Sequence, residues 1–529
     1  MADINVLVRG ILLATILVVL VKFVTTIFRK SPGPLPPGPR GLPLLGNVLD
    51  LPPKGEREYE HWLKHKDIYG PISSVTALGK TIVILHSAKT ASELFEKKSL
   101  VYSSRTNLVF AGLAGWGDSL PLVPYDKSHR LQRKLAHIVL GTPMNITPYL
   151  PLQYMETHRF LFRVLQKPEL LTDHIMTLQG AVILKVVYGY TVEPRKPDPL
   201  VRLINETMHY FSISVVPGSW LVDIIPSLRY IPKWMPGSGW RKTAIESQNM
   251  VTAASRTPLK FARKRMMEGK EGKSFVTEFH KDREDDILPE EETALTWAAF
   301  SMYGGGADTT TVTVTVFYLA MTLFPEVRRK AQEELDQVIG TDRLPNISDR
   351  DRLPYVNAVV KEALRWHQVA PLGVAHCSTA DDIVDGYYIP KGAIVVPNIW
   401  WFMHDPAVYP NPFVFDPSRF LGPNPAPDPA DHVFGYGRRI CPGQYLADVS
   451  LWLTVAYSLA VFDITKGLDE NGREIEPTIQ FSPGIISHLS PFKATVKPRS
   501  LNHEALIRQV EDLYPWEAGD ADELNKIVL

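Results

Sequence analysis

The stretch FGYGRRICPG, Phe434–Gly443, constrains this chain more than any other. It carries Cys441, one of only two cysteines in 529 residues. Gly435, Gly437 and Gly443 allow turns and close backbone approach that larger residues would block. Arg438 and Arg439, with a helix predicted to start just after the cysteine, favour thiolate over thiol. This set suits a soft metal ligand held by one bond beside a large planar cofactor. A buried, inert cysteine fits the same residues, whereas a nucleophile needs an adjacent histidine base that no local signature identifies. Cys377 stands alone, so the pair excludes a disulfide framework and a four-thiolate zinc site and points to a reducing compartment.

The N-terminus reads as a membrane anchor. Residues Ile4 to Phe28 are apolar apart from Arg9, Lys22 and a few small polar residues. That length crosses a hydrocarbon core of about 30 Å. Arg29, Lys30 and Arg40 follow the span and Asp3 precedes it, which places the rest of the chain in the cytosol. The N-x-S/T triplets at Asn145, Asn205 and Asn346 are then unused. Ser31–Pro43, SPGPLPPGPRGLP, predicts a stiff linker that holds a soluble body away from the bilayer. With 57 basic and 57 acidic residues, the chain offers no electrostatic support for a nucleic-acid partner.

Along the body, Ser73–Ala77 and Thr81–Leu85 read as strands joined by a turn at LGK. Most of the remainder reads as helix, including Pro325–Ile339 and LPYVNAVVKEALRWH. Past Pro371 the pattern shifts to short β-prone runs and proline-rich loops. Val215–Trp240 combines Trp220, Trp234 and Trp240 with prolines and aliphatics, and is expected to dip into the headgroup region. The tail, 501–529, is expected at the periphery.

The Phe434–Gly443 stretch resembles the haem-binding signature of the cytochrome P-450 family, F-x-x-G-x-R-x-C-x-G. Phe434, Gly437, Arg439, Cys441 and Gly443 fill its fixed positions. GGADTT, Gly305–Thr310, is similar to the family's motif in its long central helix. KEALRW supplies Glu362 and Arg365 of the E-x-x-R pair, and FDPSRF supplies Arg419, although Ser418 stands where the family commonly has glutamate. In DKSHRLQRKL, His129 stands at the usual tryptophan position and Arg133 at the arginine, four residues apart on one helix face. PLGVAH places His376 where the family has a propionate-binding arginine or histidine.

The resemblance covers essentially the whole chain and implies a mainly α cytochrome P-450 fold with a small β-rich lobe over residues 44–500. It implies heme b with Cys441 as axial ligand, held also by His129, Arg133, His376, Phe434 and Arg439. Asp308 and Thr309 become the catalytic pair that delivers protons. Glu362, Arg365 and Arg419 become structural. The implied reaction is monooxygenation of a hydrophobic small molecule by dioxygen, a terpenoid or polyketide of fungal secondary metabolism. Substrate is expected against Phe110, Leu113, Trp116, Phe211, Ala307, Leu372 and Ile485. No flavin or nicotinamide motif is present, so electrons are expected from a separate NADPH–cytochrome P-450 reductase at the endoplasmic reticulum membrane. That partner would dock on Lys127, Arg130, Lys134 and Arg438. The alternatives are a haem-thiolate isomerase or dehydratase, which does not need Asp308 and Thr309, and a non-catalytic haem sensor.

Overall fold

The computed structural model describes residues 32–528 apart from Lys54, Lys233, Glu271 and 282–286. The expected anchor, 4–28, lies outside these residues. Helix α1 (Glu58–Tyr69) leads into β1 (Ile72–Ala77) and β2 (Lys80–Leu85), a hairpin close to the predicted strands. Its turn residues Leu78 and Gly79 are both left-handed, at φ 48° and 83°. That geometry matches the twist of the flanking strands.

The short strand β3 (Ser104–Arg105) follows, then helices α2 (Lys127–Leu140), α3 (Leu150–Gln166), α4 (Leu171–Tyr188), α5 (Pro199–Ser214) and α6 (Trp240–Met267). The central helix α7 (Pro289–Leu323) starts with proline and Glu290, Glu291 and Glu292, which suit the positive end of a helix dipole. It stops before Pro325, and α8 (Pro325–Val338) leaves at 104°. After α9 (Pro354–Trp366) come β4 (His376–Cys377), β5 (Asp382–Val384), β6 (Tyr387–Ile389) and β7 (Ile394–Pro397). Helix α10 (Gln444–Val461), β8 (Phe462–Lys466), β9 (Ala494–Pro498) and α11 (Leu501–Arg508) complete the body.

One sheet runs β1-β2-β7-β4-β3, parallel only between β2 and β7. The hairpins β5–β6 and β8–β9 stand apart from it. The α7 helix runs through the main core, packed on α4, α2, α5 and α10. The segment Pro168–Tyr188 is long and apolar enough to cross a membrane, yet it is mostly buried against α7, which accounts for its composition.

Two expectations change. The proline-rich segment does not stand free over its described residues. The Pro37 carbonyl accepts from Ser74 N–H at 2.8 Å and that of Pro34 from Tyr388 N–H at 2.8 Å. A Cβ on Gly38 would lie 1.8 Å from the Ser74 carbonyl oxygen, so only glycine lets the segment lie along edge strand β1. The C-terminal tail is also packed: Leu506, Ile507, Val510 and Leu524 are buried, and α11 lies on α3. Of the three tryptophans in Val215–Trp240, Trp220 stacks on Phe110 at 3.7 Å and Trp240 packs at the core, while Trp234 is 80% exposed.

Glu362 and Arg365 are fully buried. The guanidinium donates to both carboxylate oxygens, at 2.7 and 2.9 Å, and to the Met403 and Pro412 carbonyls. Arg419 Nε and Asp416 N–H also donate to Glu362 Oε1. A buried ion network stabilises only when its members are satisfied, and removing one partner costs about 3–5 kcal/mol. Glu362→Gln, which strands two arginines, is expected to lose about that much stability by urea denaturation.

Candidate functional site

A cavity of about 370 Å³ separates the middle of α7 from the Cys441 loop. The loop is shaped by Gly437, at φ 48°, where a Cβ would meet the Phe95 carbonyl oxygen at 2.5 Å. Cys441 N–H donates to the Phe434 carbonyl at 2.7 Å, which turns the sulfur toward the cavity beside the Phe434 ring. The electrostatics differ from the sequence reading. Arg438 reaches away to Tyr125 Oη and Ser99, so the cation acting on the sulfur is Arg133. Burial pushes the thiol up from its ordinary value, and the Gly443 N–H and Arg133 offset only part of this. A bound cation beside the sulfur would act against that burial and favour the ionised form.

One wall of the cavity is basic. His129, Arg133, His376 and Arg439 line it, as does Arg105, which sequence reasoning missed. The pairing of β3 with β4 sets Arg105 opposite His376. Arg105 donates to the Pro121, Val374 and Ala375 carbonyls, Arg439 to those of Ser103, Leu120 and Val123, and Arg133 to that of Ile440. Among the described residues none of the three pairs with a carboxylate. Burial and mutual repulsion drive Arg105 well below its ordinary value, and burial with Arg133 brings Arg439 down to about 10.

His129 is 2% exposed, with a buried Nδ1 that has no partner among the described residues. His376 Nδ1–H donates to the Tyr102 carbonyl at 2.7 Å, and its ring stacks on Phe95. Burial first, then Arg105, lowers His376 strongly; burial and the surrounding arginines bring His129 down to about 3. Cations held in a dry wall without counter-charge cost free energy that a bound dianion returns.

The opposite wall is α7. Gly305 and Thr309, four residues apart, share the face toward the cavity. A Cβ on Gly305 would meet nothing within 4 Å, whereas one on Gly306 would lie 2.6 Å from Ile183 Cγ1. Gly305 thus widens the cavity, and Gly306 lets α4 approach. The helix remains α-helical throughout. Thr309 Oγ1 donates to the Gly305 carbonyl at 2.6 Å. Asp308 lies round the helix, buried and bonded to His488 at 2.8 Å, and does not line the cavity.

Of the residues expected against substrate, Trp116, Phe211 and Ile485 line the cavity. Ala307 is buried in the packing behind it, Phe110 is stacked on Trp220, and Leu113 is 39% exposed on the surface. Leu372 lines a smaller neighbouring pocket that shares Gly373 and Ile485 with the main one.

The sequence profile described as Cytochrome P-450 matches residues 36–495. The chain is 47% identical to cytochrome P-450 monooxygenase claR of Ampulloclitocybe clavipes, over 93% of this chain and 91% of that protein. It is 44% identical to cytochrome P-450 monooxygenase ppsD of Aspergillus oryzae, over 94% and 95%. It is 38% identical to O-methylsterigmatocystin oxidoreductase of Aspergillus flavus, over 94% and 93%. The haem implied by these matches fits the residues present: a sulfur ligand on one side, and unpaired cations and an orphaned imidazole nitrogen for its two carboxylates. Arg105→Gln is expected to weaken haem binding about ten-fold while affecting haem dimethyl ester little, because a charge-assisted hydrogen bond contributes roughly 1.5–3 kcal/mol. Titration of haem-free protein with both compounds measures this.

Proposed function

The chain belongs to the cytochrome P-450 family, and from that premise we propose that it is a monooxygenase of fungal secondary metabolism acting on a hydrophobic small molecule such as a terpenoid or polyketide. The observation that carries this reading is the cavity itself, with Cys441 on one wall and Thr309 beside an open Gly305 on the other. When bound, the haem supplies dioxygen activation and the insertion of one oxygen atom into substrate, the other leaving as water. Cys441 is the thiolate ligand. Arg105, Arg133, Arg439, His129 and His376 would hold the haem carboxylates. Thr309 presents its hydroxyl to the oxygen side of the cavity, and Asp308 feeds protons toward it. Trp116 and Phe211, in edge-to-face contact at 5.0 Å, exclude water from the substrate side. Trp116 is held by a 3.0 Å bond from Nε1 to Ser247. A non-catalytic sensor and a haem-thiolate isomerase or dehydratase have no use for this Thr309 arrangement.

Electrons come from an NADPH–cytochrome P-450 reductase. Arg130 and Arg438 lie over the Tyr125 ring, next to exposed Lys127 and Lys134, on the outer side of the elements that carry Arg133 and Cys441. A basic patch so near the thiolate suits an acidic partner, although Lys127 already meets Glu290. Membrane attachment is supported by exposed Leu44, Leu49, Leu221 and Trp234. The Leu45 carbonyl accepts from Leu78 N–H, and Lys80 bonds the Asp223 carbonyl, which brings these segments to one face. The proposed location is the endoplasmic reticulum, with the body in the cytosol.

Co-expression with a reductase, followed by metabolite profiling of the fed host, identifies the substrate. Thr309→Ala is expected to keep its haem and consume NADPH, but to yield several-fold less product per NADPH. Unchanged yield would remove Thr309 from the mechanism.

A further inference from the structure

Asp308 is buried, with its side chain 5% exposed. Its Oδ1 accepts from His488 Nε2 at 2.8 Å, and its buried Oδ2 has no partner among the described residues. The His488 side chain is 38% exposed, so the pair runs from solvent to the interior of α7. His488 sits in the loop between β8 and β9, which is fixed closely. His488 N–H donates to Ser482 Oγ at 3.0 Å, Ser482 N–H donates to the His488 carbonyl at 2.8 Å, and Ser487 N–H to that of Val369. The next residue after Asp308 is Thr309, whose face opens on the cavity. A solvent-reached imidazole thus backs a buried carboxylate, and the residue next to that carboxylate in the chain opens on the cavity.

We propose that His488 is the solvent-side member of a proton relay, delivering protons to Asp308; this rests on the proton-feeding role proposed above for Asp308. In the step, the Nε2–H bond of the imidazolium breaks and an O–H bond forms on Asp308. The carboxyl group rotates to carry that proton toward Thr309, and the imidazole, left neutral with its proton on Nδ1, turns its vacant Nε2 to solvent, takes a proton from hydronium and turns back. Histidine suits the position because it both holds and releases a proton near neutral pH, which arginine does not. Burial by itself would lower His488, but the hydrogen bond and charge of Asp308 raise it above 6.5. Asp308 is the charged group acting on His488, and the remaining influence is a backbone hydrogen bond with Ile486. Stability from this pair is therefore full below about pH 6.5 and fades as pH rises through the raised value.

Isotope-labelled histidine NMR of the haem-loaded protein, with the His488 signal assigned by its loss in His488→Gln, reads the pair without turnover. A raised His488 pKa that falls in Asp308→Asn is expected. In membranes with reductase, the fraction of consumed NADPH recovered as hydrogen peroxide reads proton supply. That fraction is expected to rise several-fold in both His488→Gln and His488→Arg, with the carbon monoxide spectrum intact. The arginine variant separates a relay from a fixed partner: it keeps the ion pair but holds its proton. A wild-type fraction in His488→Arg would overturn the relay and leave His488 as a positioning residue. A wild-type fraction in His488→Gln, with Asp308→Asn defective, would overturn the role of His488 while the Asp308 reading stands. A wild-type fraction in Asp308→Asn would overturn the Asp308 reading, and the relay with it.

Discussion

Unpaired positive charge in a dry wall is the constraint on which the rest of the structure depends. Arg105, Arg133 and Arg439 face the same cavity, and among the described residues they donate to carbonyls rather than carboxylates. Leaving an ion buried without a counter-charge costs several kcal/mol. The chain tolerates that cost because carbonyls turned inward from four segments, at Ser103, Leu120–Val123, Val374–Ala375 and Ile440, hold the guanidinium groups. Helix α2, the β3–β4 pair and the Cys441 loop must all be placed correctly for this wall to form. A dicarboxylate tetrapyrrole supplies the missing charge, so cofactor binding and local folding are coupled.

The Glu362 network shows the opposite design. There every strong donor and acceptor meets a partner inside the protein, and nothing is left for a ligand. Of its carbonyl partners, Met403 lies in the short helix Ile399–His404, and Pro410, Pro412 and Val414 lie in the irregular segment that leads on to the Cys441 loop. That segment has little regular structure of its own, and the ion network gives it a fixed course. A closed network positions the sulfur, and an open one receives the carboxylates.

Much of this was legible where a local pattern has a local cause. The Cys441 loop, the β1–β2 hairpin, α8 and α9 follow from turn chemistry, periodicity and proline placement. Arg105 was not legible, because its partner His376 lies far along the chain and the surrounding residues carry no signature. His488 escaped for the same reason: its role is defined by Asp308, on another element. Phe110, Leu113 and Ala307 were expected at the substrate because they lie in the right segments. The packing of each segment turned them away from the cavity, whereas Phe211, expected there as well, does line it. The expectation that Arg438 and Arg439 ionise the thiol failed on direction, since one points to Tyr125 and the other to carbonyls above the cavity.

As proposed above, Cys441 holds haem iron as a thiolate across the cavity from Thr309. The carbon monoxide difference spectrum of the reduced protein, normalised to haem content, tests it most directly. The account predicts the long-wavelength Soret band of thiolate ligation in the natural chain and its loss in Cys441→His with haem retained. Persistence of that band in Cys441→His, or its absence from the fully haem-loaded natural chain, would contradict it.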